Sequence, residues 1–308
     1  MTRAIFFFIS ATLLLFPILS IIEQPSPAIQ LLLCLPFIIF LGIPHGAIDN
    51  ILFQRNKAIS NKKFIFIYLL IIIANIVFWL FFPILAYISF LLISAFHFGQ
   101  AQFSHYLKGQ NFILKTLYLS WGIALLSGLI YLNHSEIKSI ELDYESFARF
   151  ASINSEEIMF LLFTSTSFLS LSILIFLRFK GLLKNENLLM ECVIFGLVML
   201  CFYLMPLLVG FTLYFVILHS YKVLEEEYRF LNSEKIVSNI KGFLLLLTPF
   251  SLFSMFGIIL LFGLIHFDLL SISYGYSMLI IISSITLPHV FVMNNFYRLL
   301  FKRNFFNN

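Results

Sequence analysis

The sequence predicts an all-α fold: a polytopic transmembrane helical bundle of about ten spans with both termini on the cytoplasmic side. Composition is the first ground. The chain is 61% hydrophobic and 11% charged, against about 45–50% and about 25% for ordinary soluble domains, and its mean hydropathy is +1.00. Apolar windows about 20 residues long, the length that crosses a hydrocarbon core, recur along almost the whole chain. No soluble domain fits between them, so residues 1–308 read as a single integral-membrane domain. The third ground is the alternation of basic and base-poor gaps between the windows.

The first run, residues 4–22, follows Arg3 and lacks a small-residue cleavage site. It therefore reads as a span, with Glu23-Gln24-Pro25-Ser26-Pro27 as a turn. The other windows cover 28–53, 64–82, 84–105, 112–132, 158–178, 188–205, 206–224, 242–265 and 273–298. Lys and Arg accumulate on the cytoplasmic side of membrane proteins. Here Arg3, Arg55 to Lys63, Lys108 and Lys115, Arg178 to Lys184, Arg229 to Lys241, and Lys302 with Arg303 occupy alternate gaps. The gap 133–157 on the other side is acidic. The net charge of +4 then reflects anchoring, and nucleic-acid binding has no support. Segment 222–241 reads as a solvated helical extension, with Lys222 a snorkelling anchor rather than a Schiff-base lysine. Cys34, Cys192 and Cys201 share no metal-ligand spacing and read as packing residues. There is no phosphate-binding glycine loop and no nucleophile elbow.

The histidines carry the chemistry. His105, His134 and His266 fall near span ends or in loops, where imidazole meets water at little cost. His45, His97, His219 and His289 fall within spans two, four, eight and ten, which all run in the same direction. They lie about 13 to 18 positions from their outer ends, a spread of less than about 10 Å in depth at about 1.5 Å per residue. Ionisable groups inside a membrane face the bundle interior and mark functional sites. Neutral imidazoles at one depth offer nitrogen lone pairs suited to Fe, Zn or Cu; the alternative is that each bonds separately to a neighbouring helix.

Local sequence supports a site. In Gly42-Ile43-Pro44-His45-Gly46-Ala47-Ile48-Asp49, proline removes a backbone donor and glycine permits close approach, so a kink is expected. Asp49, one turn past His45, is a candidate partner that orients the imidazole, with interfacial anchoring and direct ligation as the other roles open to it. Small residues surround His97 in Ser94-Ala95-Phe96-His97-Phe98-Gly99-Gln100, and Gln102 offers a further hydrogen bond within the site. His219-Ser220 and Pro288-His289 complete the set.

At these motifs the chain resembles the Brp/Blh family, the integral-membrane β-carotene 15,15'-dioxygenases found with microbial rhodopsins. The resemblance rests on Gly42 to Asp49, on the His-Phe-Gly core from His97 to Gly99, on His219-Ser220 and on Pro288-His289. It implies oxygen-dependent cleavage of β-carotene at its central double bond to two retinals, with Fe(2+) held by His45, His97, His219 and His289. It further implies molecular oxygen as co-substrate, a bacterial inner (plasma) membrane location, and a functional link to a retinal-binding rhodopsin. Two positions depart from the pattern. Many relatives have a second histidine one turn after the residue matching His219, where this chain has Val223, and an acidic residue just after His-Phe-Gly, where it has Gln100 and Gln102. A desaturase or carotenoid hydroxylase would need His-x-x-x-His or His-x-x-His-His clusters, and none occurs. A non-catalytic carotenoid- or retinal-binding protein, or a rhodopsin-assembly factor with a degenerate metal site, is the reading left beside the enzyme.

Overall fold

The computed structural model describes residues 3–21, 25–55, 59–109 and 111–302, without the side chains of His45 and Lys302. The turn residues Glu23 and Gln24 and the basic residues Lys57 and Arg303 lie outside the described residues.

The chain order is α1 (Arg3–Ile21), α2 (Pro27–Phe37), α3 (Asp49–Gln54), α4 (Asn61–Phe81), α5 (Pro83–Phe103), α6 (Phe112–Leu132), α7 (His134–Asp143), α8 (Glu145–Ala148), α9 (Glu156–Phe179), α10 (Asn185–Leu204), α11 (Leu207–Leu213), α12 (Tyr221–Ser233), α13 (Ile240–His266) and α14 (Tyr274–Lys302). The described residues contain no strand. Side chains that accept a hydrogen bond from the third residue onward set several starts: Ser26 for α2, Ser60 for α4, Asn111 for α6, Ser155 for α9 and Asn239 for α13. Left-handed backbone at Gly181, Lys235 and Asp268 lies just past the ends of α9, α12 and α13.

Among the described residues nine helices are long and apolar enough to cross a membrane, which fits an integral multi-pass protein. Expected span two is not among these nine. It is an apolar helix from Pro27 to Gly42 that continues through a tight 3₁₀ turn, Ile43–Gly46, into α3. Pro44 explains the break, because it has no N–H to give the carbonyl four residues earlier, and the backbone before it widens into a π-helical stretch, Ile38–Gly42. A second π stretch, Tyr214–Ser220, joins α11 to α12, so that Leu207–Ser233 is one continuous apolar helix.

α6 is the most buried of these helices, and α4 and α13 are the least, presenting apolar side chains outward as lipid-facing helices do. Polar contacts tie neighbours together where hydrophobic driving force is weak. Trp79 Nε1 donates to Ser283 Oγ at 2.6 Å between α4 and α14, and the Ser120 and Ser170 hydroxyls meet at 2.8 Å between α6 and α9. Glu136 and Gln30 accept from the backbone N–H groups of Leu207 (2.9 Å) and Leu208 (3.1 Å), capping the helix that carries His219.

Candidate functional site

Three of the four singled-out histidines converge. His97 on α5, His219 at the end of the second π stretch and His289 on α14 are each at most 3% exposed. The His97 ring centroid lies 4.9 Å from that of His219 and 5.1 Å from that of His289, edge-on to both. His45 sits in the 3₁₀ turn, and its side chain is outside the described residues. Its neighbour Gly46 abuts the cluster: a Cβ there would stand 3.3 Å from His289 Nδ1.

Helix irregularity builds this convergence. The two π stretches face each other across Gly42, where a Cβ would come within 2.6 Å of Phe215 Cε1. Phe215 in turn stacks on His219 with centroids 5.7 Å apart, and Phe98 meets the same imidazole edge-on at 4.8 Å. π stretches of this kind recur at functional sites because they re-aim side chains that a regular helix would point elsewhere.

Asp49 is the main electrostatic feature. Its carboxylate, 3% exposed, lies 2.9 and 3.1 Å from His289 Nδ1, and its Oδ2 accepts from the Tyr68 hydroxyl at 2.9 Å. Asp49 thus meets His289, 240 residues away in sequence; the side chain of His45, the partner that sequence proximity suggests, lies outside the described residues. A carboxylate bonded at Nδ1 orients the ring and leaves Nε2 as the nitrogen on its other side. Among the described residues Asp49 pairs with no Lys or Arg, and the fully buried side chain of Glu227 lies near it. A buried anion of this kind is costly without a compensating cation. Three convergent imidazoles, one of them hydrogen-bonded to a carboxylate, are nevertheless donors of the kind that divalent transition metals take. Among the described residues, however, no three His, Cys, Asp or Glu side chains form a complete metal-holding group.

Gln102 lies elsewhere. Its side-chain amide donates to Glu191 Oε2 at 2.8 Å, and its backbone carbonyl accepts from Lys222 Nζ at 2.9 Å, so its side chain is engaged with Glu191. Lys222 points inward rather than snorkelling, and Val223, Glu226 and Glu227 on the same helix are buried, which corrects the solvated-extension reading of the start of segment 222–241. The reason is that α12 continues the His219 helix without a break and packs its apolar face on α14. Burial and then the neighbouring Glu191 push the Tyr106 phenol above its usual range, leaving a neutral hydroxyl at this end of the bundle. Glu191 and Tyr68 were absent from the sequence reading, although Glu191 is an ionisable group within a span and so carried a signal.

The imidazoles line one end of a cavity of about 640 Å³ whose walls are overwhelmingly apolar. Phe90, Leu91, Leu129, Met278 and Ile282 are among the residues between the imidazoles and the end formed by α7, α8 and the start of α14. From His289 to Tyr274, both on the lining, α14 rises about 22 Å. Walls of this kind suit a long apolar molecule and disfavour water.

Asp49→Asn, which keeps the shape but removes the charge, is expected to weaken metal retention by about 10–100-fold, the usual effect of losing a carboxylate behind a ligating imidazole. Tyr68→Phe, which removes one hydrogen bond to Asp49, should have a smaller effect. Metal content after dialysis against graded chelator measures both.

A family model described as beta-carotene 15,15'-dioxygenase matches residues 37–297, a stretch that includes every residue of the imidazole and Asp49 cluster. No curated protein and no solved structure matches the chain.

Proposed function

Because the chain belongs to the beta-carotene 15,15'-dioxygenase family, we propose that it cleaves β-carotene at the central double bond to two retinal molecules, with Fe(2+) held by His45, His97, His219 and His289. The observation that supports this most strongly is the placement of three buried imidazoles, one of them held by a buried carboxylate, at the end of a large apolar cavity. Iron(II) on neutral imidazoles with open positions would supply the activation of molecular oxygen toward an alkene.

The residues of this chain do the rest. Asp49 holds the His289 ring through Nδ1, which leaves Nε2 as the nitrogen that would take the metal, and Tyr68 holds Asp49. Phe98 and Phe215 fix the plane of His219. The apolar walls bind the polyene and exclude water, so no charged group is needed to recognise the substrate. Val223 is fully buried in a separate apolar cluster with Phe230, Phe296 and Leu300. His289 then completes the iron shell without the second histidine that many relatives carry at the Val223 position. A rhodopsin that takes up the retinal, and a bacterial inner membrane as the location, complete the proposal.

Purified protein is expected to hold close to one iron per chain and to convert β-carotene to retinal only when oxygen is present. Retinal formation without metal, or bound carotenoid with neither metal nor turnover, would overturn the enzymatic reading; the second result would favour a binding or assembly role.

A further inference from the structure

We propose that the far end of the cavity is a subsite for a hydroxyl group on the end ring of the polyene, so that this chain prefers a ring-hydroxylated carotenoid over the hydroxyl-free hydrocarbon. The inference rests on the carotenoid reading above and adds to it. Tyr87, Asn154 and Glu141 all line the same cavity as the imidazoles. The Tyr87 hydroxyl donates to Asn154 Oδ1 at 3.0 Å, and Asn154 Nδ2 donates to Glu141 Oε1 at 2.8 Å. Tyr87 precedes His97 by ten residues on α5, a rise of about 15 Å. That is comparable with the distance from the central double bond of a carotenoid to its end ring.

The surroundings suit a ring. Tyr87 stacks on Phe150 with centroids 4.4 Å apart, Phe150 stacks on Tyr276 at 6.2 Å, and Trp79 closes edge-on against both Phe150 and Tyr276. Within this aromatic wall stands a carboxylate that is 9% exposed. Glu141 has no ion pair with any described Lys or Arg, and among the described residues its second oxygen accepts no hydrogen bond. An acceptor in that setting costs free energy unless a donor reaches it. A purely hydrocarbon ligand would bury it without one, whereas a ring hydroxyl would donate to it. A protein that takes such a ligand consumes the product of a carotenoid-ring hydroxylation.

The test is equilibrium binding to the full-length protein in detergent micelles without oxygen, so that no cleavage intervenes. Quenching of tryptophan fluorescence would be followed for β-carotene and for its mono- and dihydroxylated derivatives. Hydroxylated pigment is expected to bind about tenfold more tightly, the usual scale of one hydrogen bond to a charged acceptor. Glu141→Leu should bring the affinity ratio to about one, and Glu141→Gln and Tyr87→Phe, which keep shape and stacking, should lower it partway. A structural role for the three residues would change thermal stability but leave the ratio intact. Equal binding of the pigments by wild-type protein, or a ratio unmoved in the folded variants, would overturn the subsite and leave the carotenoid reading standing. Failure to bind any of the pigments would overturn both.

Discussion

His97→Ala is expected to leave a folded protein that binds carotenoid but holds little iron and makes no measurable retinal. His97 is the central ring of the three, edge-on to both His219 and His289, and its removal separates the other two. Loss of a carboxylate behind a ligand costs about 10–100-fold in affinity, so loss of a ligand outright should exceed about 100-fold. Truncating one buried ring costs stability as well, by about 1–3 kcal/mol on the scale of ordinary single substitutions, which a bundle of this size should survive. His266→Ala, at an exposed position at the end of α13, serves as the control and should retain both iron and turnover. Iron content, carotenoid binding and retinal yield measured on the same preparation separate the outcomes. A His97→Ala protein that still cleaved β-carotene at wild-type rates would remove the imidazole cluster from the chemistry.

The convergence of His97, His219 and His289 was legible because an ionisable side chain inside an apolar run is rare enough to count as a signal. The kink at Pro44 was legible for the same local reason, a missing backbone donor. The pairing of Asp49 with His289 was not, since 240 residues separate them and nothing in the chain encodes which helix α3 faces. Sequence spacing pointed to the near histidine, whose side chain lies outside the described residues, and tertiary packing brought in the far one. The π stretch at Tyr214–Ser220 has no proline of its own to announce it. Its signature lies in the partner, Gly42, whose missing side chain makes room for Phe215. Lys222 was misread because a lysine near a span end snorkels in most membrane proteins; here the helix continues past it and a backbone carbonyl of α5 receives its ammonium. The far-end polar residues fall outside the apolar windows that drew attention, apart from Tyr87, so their approach to the same cavity needed the folded chain.

Gly122→Ala and Gly99→Ala are expected to be the most destabilising small substitutions in the protein. The α5–α6 crossing brings backbone against backbone: a Cβ on Gly122 would stand 1.8 Å from the Ala95 carbonyl oxygen, and one on Gly99 would stand 2.0 Å from that of Tyr118. No rotamer change relieves a clash with a carbonyl, so the helices must separate. Overpacking usually costs about 1–3 kcal/mol, and a clash with fixed backbone should reach or pass the upper figure. Gly257 supplies the contrast. Nothing lies within 4 Å of a Cβ there, so Gly257→Ala should be neutral or stabilising by up to about 1 kcal/mol, the helix preference of alanine over glycine. The crossing also bears on function, because Ala95 and Gly99 flank His97 on α5. Any α5 shift that accommodated the new methyl group would carry the imidazole with it, and a displacement of about 1 Å at a reacting centre can cost about 100-fold in rate. Thermal unfolding in detergent, read beside iron content in whatever Gly99→Ala protein survives purification, should therefore show stability and metal retention falling together. A variant with normal stability and iron would mean that α5 and α6 do not approach as closely as their glycines allow.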